Sequence, residues 1–578
     1  MKSRTSFFNL TAFRKNITRY WPVWALYTAF LLLVLFGISN QETDYMARDV
    51  VIITRLAGIG NLLYAGIVTL CLFSDLYKGR LCNALHAFPM RREGWLLTNI
   101  ATGFLFSLIP NLIICTLTSF QLGEHAHYIW YMFGAASLQY IFFFGTAVLS
   151  ALCAGNALGM LSVYSIIHFV VVLVYFLAEV VYQPLIYGVE LQTDKFYRFF
   201  PVARMYTEYV ETEFGMGTIE FKGLDTAAWT HLYICAAVGA LAFVLAWLVY
   251  RRRHLERAGD FIALRPLGPV FLIVYTIAVG TVLYSFFDMI NQPSYLIFAI
   301  GIIIGFFTGQ MLLNRTVRVF EKKSMLAFAV LAVVLSGSIA LTWMDPMGIS
   351  SYVPPVDKVE SAAIYGPDKG YYYYEDGEYD YFEMTDKEEI TKLQSYHKKL
   401  MNARSVTSDV YDVRIRYKLS NGKTVNRYYK VDYKSNLTDE ARIWFSDARY
   451  VFQVDDPQIL YSLFDSFSGE KYYYNLDVWN GQEPTFYKSA DPEELKGLLD
   501  AVLADCAAGK MGQSWIYHAG ASSDYSVDFG ISPDFSNEDN DRPYRYTHLS
   551  VYDDCTNTIA YLNKIFDELP DDYNHRVG

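Results

Sequence analysis

Nowhere in its 578 residues does the chain carry a GxxxxGK[ST] phosphate loop, an HExxH pair, a GxSxG elbow or a protein-kinase signature. Phosphate binding needs a Gly-rich loop whose backbone N–H groups face the anion, so this chain is not expected to hydrolyse nucleotide itself. No catalytic residue and no cofactor are assigned to it. Cysteine is scarce, and the seven present show neither a metal-ligand spacing nor a redox pair. Cys71, Cys115, Cys153 and Cys235 fall in apolar runs and Cys82 in a loop, which leaves Cys506 and Cys555 as the pair that could bridge. The ten histidines are scattered singly. The acidic stretch Asp534, Glu538, Asp539 and Asp541 lacks the spacing and central Gly of a calcium loop and reads as solvated, so no metal site is predicted. A small-residue cleavage site is missing after the first apolar run, which is therefore expected to stay as an anchor.

Long apolar runs are abundant. Windows near 21–39, 53–73, 95–119, 129–153, 157–187, 229–250, 267–287, 294–313 and 325–344 each approach the length that crosses a bilayer, predicting an α-helical polytopic membrane domain of about nine spans. Residues 346–578 are instead polar, acidic and Tyr-rich. The net charge of −11 hides a split: 24 Lys+Arg against 19 Asp+Glu up to residue 345, then 24 against 40. A polyanionic soluble domain excludes nucleic acid as its partner, since phosphates need a basic surface. Segments 1–20, 75–94, 250–266 and 314–323 together hold 18 Lys+Arg, and the alternate loops hold 5. That asymmetry places the N-terminus in the cytoplasm, and an odd span count then puts the 346–578 domain outside the cell membrane.

Residues 1–20 contain Phe7, Phe8, Leu10 and Phe13 among Arg14, Lys15 and Arg19, the pattern of an amphipathic helix on the cytoplasmic leaflet or of a plain basic flank. The 188–228 loop carries Phe196, Tyr197, Phe199 and Phe200 and is expected to pack on the membrane surface or on the external domain. Ionisable groups inside spans are functional candidates: His168 and Glu179 lie eleven residues apart, on one face of an ideal helix, and could line a polar path. Snorkelling of Glu179 to the interface is the plainer reading.

In the soluble domain helix starts recur. Asp491, Pro492 and Glu494 open one amphipathic stretch, Thr385 and Glu388 a second, Asp456 and Pro457 a third, and Asp554 a fourth. Asn421-Gly422 sits between alternating apolar runs, the mark of a two-residue hairpin. The fold class read from this pattern is α+β, and the recurrence suggests two related lobes. The 27 tyrosines beyond residue 346 fit cross-strand packing or an aromatic surface for a ligand.

The loop SDLYKGRLCNALHAFPMRREGWLLTNI, between the second and third predicted spans, resembles that of the ABC-2 type permeases, the membrane subunits of bacterial ABC transporters. The matching positions are Leu85, His86, Phe88, Pro89, Arg91, Arg92 and Glu93, which by the resemblance form a coupling helix that docks on a separate ATPase. Pro89 would end the helix and the arginines would anchor it at headgroups. Two further segments resemble the family: FFNLTAFRKNITRYWPVWALY at the first span, and YRRRHLERAGDFIALRPLGPVF after the sixth. In the latter Arg251, Arg252 and Arg253 form a stop-transfer cluster, and Glu256, Arg257, Gly259 and Asp260 a cytoplasmic polar turn. The resemblance covers about residues 5–270. It implies an ABC-2-like six-span domain over 21–250, followed by the turn and three additional spans over 251–345. ATP and Mg would sit on a partner ABC-type ATPase, a second permease half would complete the path as homodimer or heterodimer, and export would be the task. The other reading of the sequence is a non-transporting receptor whose external domain binds a peptide, lipid or wall fragment.

Overall fold

The computed structural model describes residues 8–39, 43–87, 91–122, 126–189, 200–207, 212–215, 218–221, 226–253, 257–290, 294–365, 383–403, 410–452, 461, 472–480, 485–489, 492–511, 525–533 and 545–567. These form two compact units, residues 1–184 with 191–339, and residues 185–190 with 340–578.

The first unit is helical. Helix α1 (Leu10–Arg19) is N-capped by Asn9, whose side chain accepts from Ala12 N at 3.0 Å. The chain then turns by 60° into α2 (Trp21–Ser39). Next come α3 (Thr43–Leu72), the short α4 (Gly79–Ala87), α5 (Arg92–Leu122), α6 (Ala126–Cys153) and α7 (Ala157–Phe176), the last extended by a π-helical turn at Leu177–Tyr182. After α8 (Pro201–Thr207) and a small hairpin, β1 (Thr212–Gly215) with β2 (Thr218–Phe221), the unit closes with α9 (Thr226–Arg252), α10 (Leu267–Met289), α11 (Tyr295–Asn314) and α12 (Lys322–Met344).

Among the described residues seven helices are long and apolar enough to cross a membrane: Arg92–Gln121, Ile129–Cys153, Ala157–Leu185, Ala227–Arg252, Leu267–Met289, Tyr295–Asn314 and Lys322–Met344. The bent α1–α2 pair makes an eighth if taken as one span. The second predicted span coincides with the last part of α3, in which the described apolar stretch is Leu56–Leu72. The chain is thus a helical, membrane-spanning protein. Its polarity is inverted accordingly: Phe30, Leu33, Phe120 and Leu296 face outward, while Asn61, Asn99, Thr102 and Gln139 are buried. Close packing comes from small residues. A Cβ on Gly145 of α6 would overlap the Gly239 carbonyl of α9, and a Cβ on Gly239 would overlap the Ile141 carbonyl. Gly301 in α11 lies against the backbone of Gly280 in α10 in the same way, and Gly305 against Thr276.

The second unit carries two antiparallel sheets with separate cores. In the first lobe β3 (Val359–Tyr365) leads to α13 (Lys387–Asn402), the hairpin β4 (Val410–Leu419) and β5 (Thr424–Asp432), then α14 (Asn436–Phe445), in sheet order β3-β4-β5; α15 (Ala448–Phe452) follows, with Tyr450 in this core and Val451 and Phe452 in that of the second lobe. The second lobe runs β6 (Tyr472–Asn480), β7 (Thr485–Ser489), α16 (Pro492–Ala507), β8 (Tyr525–Pro533), β9 (Arg545–Val551) and α17 (Thr556–Asp567), with order β7-β6-β8-β9. A strand, a helix, a hairpin and a helix therefore occur twice, with β7 inserted the second time. The predicted α+β class holds.

The β4–β5 turn is a three-residue loop, since Leu419 N donates to Lys423 O at 2.8 Å and Gly422 N to Leu419 O at 2.8 Å. Gly422 takes the left-handed position, φ 76°, one residue later than a two-residue Asn-Gly turn would place it. Residues 185–190, leaving the π-helical turn, fold with this lobe: Tyr428 N donates to Gly188 O at 3.2 Å, and Tyr187 packs edge-on against Tyr429 at 5.4 Å. The 188–228 loop is thus divided, because α8 buries Val202 and Met205 in the core of the first unit. Cys506 and Cys555 are both buried free thiols, with Cys555 Sγ facing Met511 Sδ at 3.4 Å, and burial pushes both pKa values up, Cys555 to about 11. The Asp456–Pro457 helix start, Asp491, and the acidic loop at Asp534, Glu538, Asp539 and Asp541 lie outside the described residues.

Candidate functional site

One end of the helical unit gathers its polar groups. Helix α1 is fastened to α5 by Asn16 Nδ2 donating to Asn99 Oδ1 at 2.8 Å and by Asn9 N donating to Thr98 Oγ1 at 3.2 Å. Asn99 Nδ2 in turn donates to Leu72 O at 3.0 Å, at the end of α3. Arg19 reaches Asp75 at 3.2 Å and Tyr20 Oη lies 3.1 Å from Ser74 Oγ. The ion pair is partly exposed and worth less than about 1 kcal/mol, whereas Asn99 is a buried amide that would be left unsatisfied without these bonds. Three helices are therefore registered to one another at this end.

From that end projects α4. Cys82 is its buried foot, whereas Arg80, Leu81 and Asn83 are exposed, so a short amphipathic helix presents a mixed basic and apolar face. The backbone of Leu85 and His86 belongs to this helix; their side chains, and all of Phe88 and Pro89, lie outside the described residues. Arg91 is exposed, and its carbonyl accepts from Trp95 N at 3.2 Å as α5 begins. Arg92 and Glu93 occupy the first turn of α5, where Glu93 also suits the helix dipole. Glu93 pairs with Arg251 at 3.8 Å, Arg251 covers the Trp247 ring at 4.8 Å, and Trp95 packs on Tyr250 at 5.8 Å. The segment after α4 is thereby joined to the end of α9.

Arg253 has a different role from that of a stop-transfer charge. Its side chain is 5% exposed, and Nη1 donates to the carbonyls of Ala151 and Leu152 at 3.1 Å each. Those carbonyls are among the last of α6 and have no intrahelical partner, so the guanidinium serves as a cap and a charge complement to the helix C-terminus. The chain then passes through the turn at 257–260. Gly259 has φ 99°, its N–H donates to Gly155 O at 2.7 Å, and its carbonyl accepts from Asn156 Nδ2 at 3.4 Å. Ala263 N donates to Cys153 O at 2.8 Å, and Ile262 bridges Ala154. Asn156 caps α7 through Gly159 N at 2.7 Å. A Cβ on Gly159 would overlap the Phe261 carbonyl, so the break between α6 and α7 is shaped to receive this segment. Arg257 and Asp260 are half-buried in the turn, and Asp260 N donates to Arg257 O at 3.2 Å. Glu256 lies outside the described residues.

Sequence reading singled out the turn but not its receptor. The stretch Cys153-Ala-Gly-Asn-Ala-Leu-Gly159 was the available signal, a Gly-Asn break between two apolar runs with a cap residue in it. His168 and Glu179 are not brought together by any contact among the described residues. His168 Nε2 lies 3.0 Å from Thr146 Oγ1 inside a ring of Phe142, Phe143 and Tyr164, as a satisfied core histidine would. Glu179 is half-buried in the π-helical turn, where Tyr295 Oη donates to Val181 O at 3.1 Å and Tyr182 Oη lies 2.7 Å from Ser338 Oγ. Among the described residues no three His, Cys, Asp or Glu side chains converge as metal ligands would. Compared with known proteins, the chain matches no family model and no curated sequence.

Proposed function

We propose that the chain is the permease subunit of an ABC-2 type transporter, an exporter driven by a separate ATPase. The observation that carries the reading is α4, a short amphipathic helix standing exposed between two long apolar elements, in a sequence without a nucleotide loop of its own. ATP and Mg belong to the partner. Closure of the ATPase would press on α4 and residues 85–93, and the load would pass through Glu93–Arg251 to α9 and through the α5 amides to α1. Arg253 and the 257–260 turn hold α6 and α7 against that load. Six spans make half of a translocation path, so a second permease half, identical or related, completes it. The basic loops, α4 among them, face the cytoplasm and residues 346–578 lie outside the cell membrane.

The test replaces Arg80 with Glu, Leu81 with Ala and Arg91 with Glu in one chain, purified gently from its native membrane. The parent chain is expected to bring an ATPase subunit with it in fixed ratio, and the triple variant to lose it. An ATPase retained in full by the variant removes α4 as the docking element. A parent chain that brings no ATPase favours the receptor reading, and the ligand of the external domain becomes the question.

A further inference from the structure

Beside the polar turn lies a cleft of about 190 Å³, lined by Leu149, Cys153, Val163, Ile167, Val270 and Phe271 among others, so its wall is hydrocarbon and one thiol. Ile167 and Val270 are 38% and 48% exposed on the apolar surfaces of their spans, which makes this wall accessible to lipid. Its inner side is braced by Phe261, Ile262 and Phe271, against which Ile166, Leu312 and Leu313 pack.

Arginines are concentrated in the segments beside the polar turn. Arg265 is exposed and stands in the chain between Ile262 and Leu267, both of which line the cleft. Arg257 belongs to the turn. Arg315, at the end of α11 just beyond Leu312 and Leu313, has its Nη1 within 3.3 Å of where a Cβ on Gly259 would lie. The opposing carboxylate among the described residues of this turn is Asp260. Segments 257–267 and 312–315, which flank the cleft lining in the chain, thus carry three arginines against one carboxylate.

We propose that this cleft is a binding site for one anionic phospholipid of the leaflet that the basic loops face, with an acyl chain along the wall and the phosphate on Arg265, Arg315 and Arg257. The order of hydrocarbon wall followed by guanidinium cluster is the order of a phospholipid, and basic pockets between spans select anionic headgroups. A free phosphate would leave the wall uncovered, and a zwitterionic lipid would leave the arginine charge unmatched. The site stands whether or not the chain couples to an ATPase.

The experiment is native mass spectrometry of the full chain in detergent, titrated with phosphatidylglycerol or phosphatidylcholine of matched acyl chains. One phosphatidylglycerol should be retained in clear preference to phosphatidylcholine. Replacing Arg265 and Arg315 with Gln should lower that preference about 25-fold, at about five-fold per guanidinium near an anionic surface, without changing phosphatidylcholine binding. Val270→Trp, which fills the wall from an exposed position, should reduce retention of both lipids. Equal retention of the two lipids by the parent chain overturns the proposal, as does a phosphatidylglycerol adduct that survives either variant.

Discussion

The two lobes of the second unit share one backbone order and differ in one buried helix–sheet contact and in how the last strand-following helix is capped. In the first, α13 turns His397 into the core, where Nδ1 and Nε2 lie 3.1 and 2.8 Å from the hydroxyls of Tyr417 and Tyr429 on the facing hairpin. In the second, α16 has Val502 at the matching position, beside Leu495, Leu498 and Leu499 in the core. The terminal helices differ too. Helix α14 is capped by its own Ser435, which accepts from Leu437 N at 3.2 Å. Helix α17 is capped from afar: the fully buried Asp505 of α16 accepts from Asn557 N at 3.2 Å and Nδ2 at 2.8 Å, and from Thr558 N and Oγ1 at 2.7 Å each. A buried imidazole ties helix to sheet in the first lobe, and a buried carboxylate ties helix to helix in the second. A shared topology therefore constrains where elements go, and leaves open which contact holds them.

Asp505→Ala should separate the lobes most sharply. It leaves four donors without their carboxylate and should cost about 3 to 4 kcal/mol, read as roughly hundred-fold or greater acceleration of amide hydrogen exchange in α17 of the intact chain. Ser435→Ala, the matching change in the first lobe, should cost about 1 kcal/mol. Equal effects would erase the distinction.

His397→Leu comes next, at about 2 to 3 kcal/mol, because two buried tyrosine hydroxyls lose their partner. Burial, assisted by Arg427 and Lys398, lowers the His397 pKa to about 4. The unfolded chain, titrating near 6.5, then binds the proton that the folded lobe excludes, so the stability owed to neutral His397 is complete above about pH 6.5 and lost as pH falls toward 4. Exchange in β4 and β5 should accelerate between pH 7 and 5, after correction for the intrinsic rate, by an amount corresponding to about 2 kcal/mol, and His397→Leu should abolish that component. The second lobe, with Val502 at this interface, should not show the His397 component.

Gly188→Ala probes the segment that the first lobe takes from the 188–228 loop. The residue has φ 77°, and a Cβ there would strike the Tyr429 ring. A local loss of about 2 kcal/mol should appear as faster exchange at the Tyr428 amide, with β8 and β9 unchanged. Gly422→Ala meets open space and pays only for its left-handed backbone, about 1 kcal/mol by urea unfolding monitored at the β4–β5 hairpin.

Much of this was legible. Apolar length alone locates seven of the nine expected spans among the described residues, because a bilayer imposes one requirement and hydropathy reports it. The buried helix faces were legible too, since Ile390, Leu393 and Leu400, and Leu495, Leu498 and Val502, recur at helical spacing. What failed were one local cap, one weakly patterned helix and the partners distant in sequence. The α13 cap is Asp386 and not Thr385, because its carboxylate reaches Glu388 N and Glu389 N together. No local pattern announces that Asp505 caps a helix some fifty residues on. Helix α14 escaped notice because its buried residues, Thr438, Ala441 and Phe445, are too few and too mixed to make a stripe. At the candidate site Arg253 looked like its neighbours Arg251 and Arg252, and only the fold distinguishes the one that points inward.

Gly145 and Gly239 bring α6 and α9 into backbone contact, and Gly280 with Gly301 does the same for α10 and α11. Surfaces meeting through peptide groups have no side-chain layer to repack, so neither pair can slide or rotate internally without a clash. The helical unit accordingly has fewer independent moving parts than it has helices. Each such crossing resists sliding at that point, and a single added methyl at Gly145 or Gly239 would pry that pair apart.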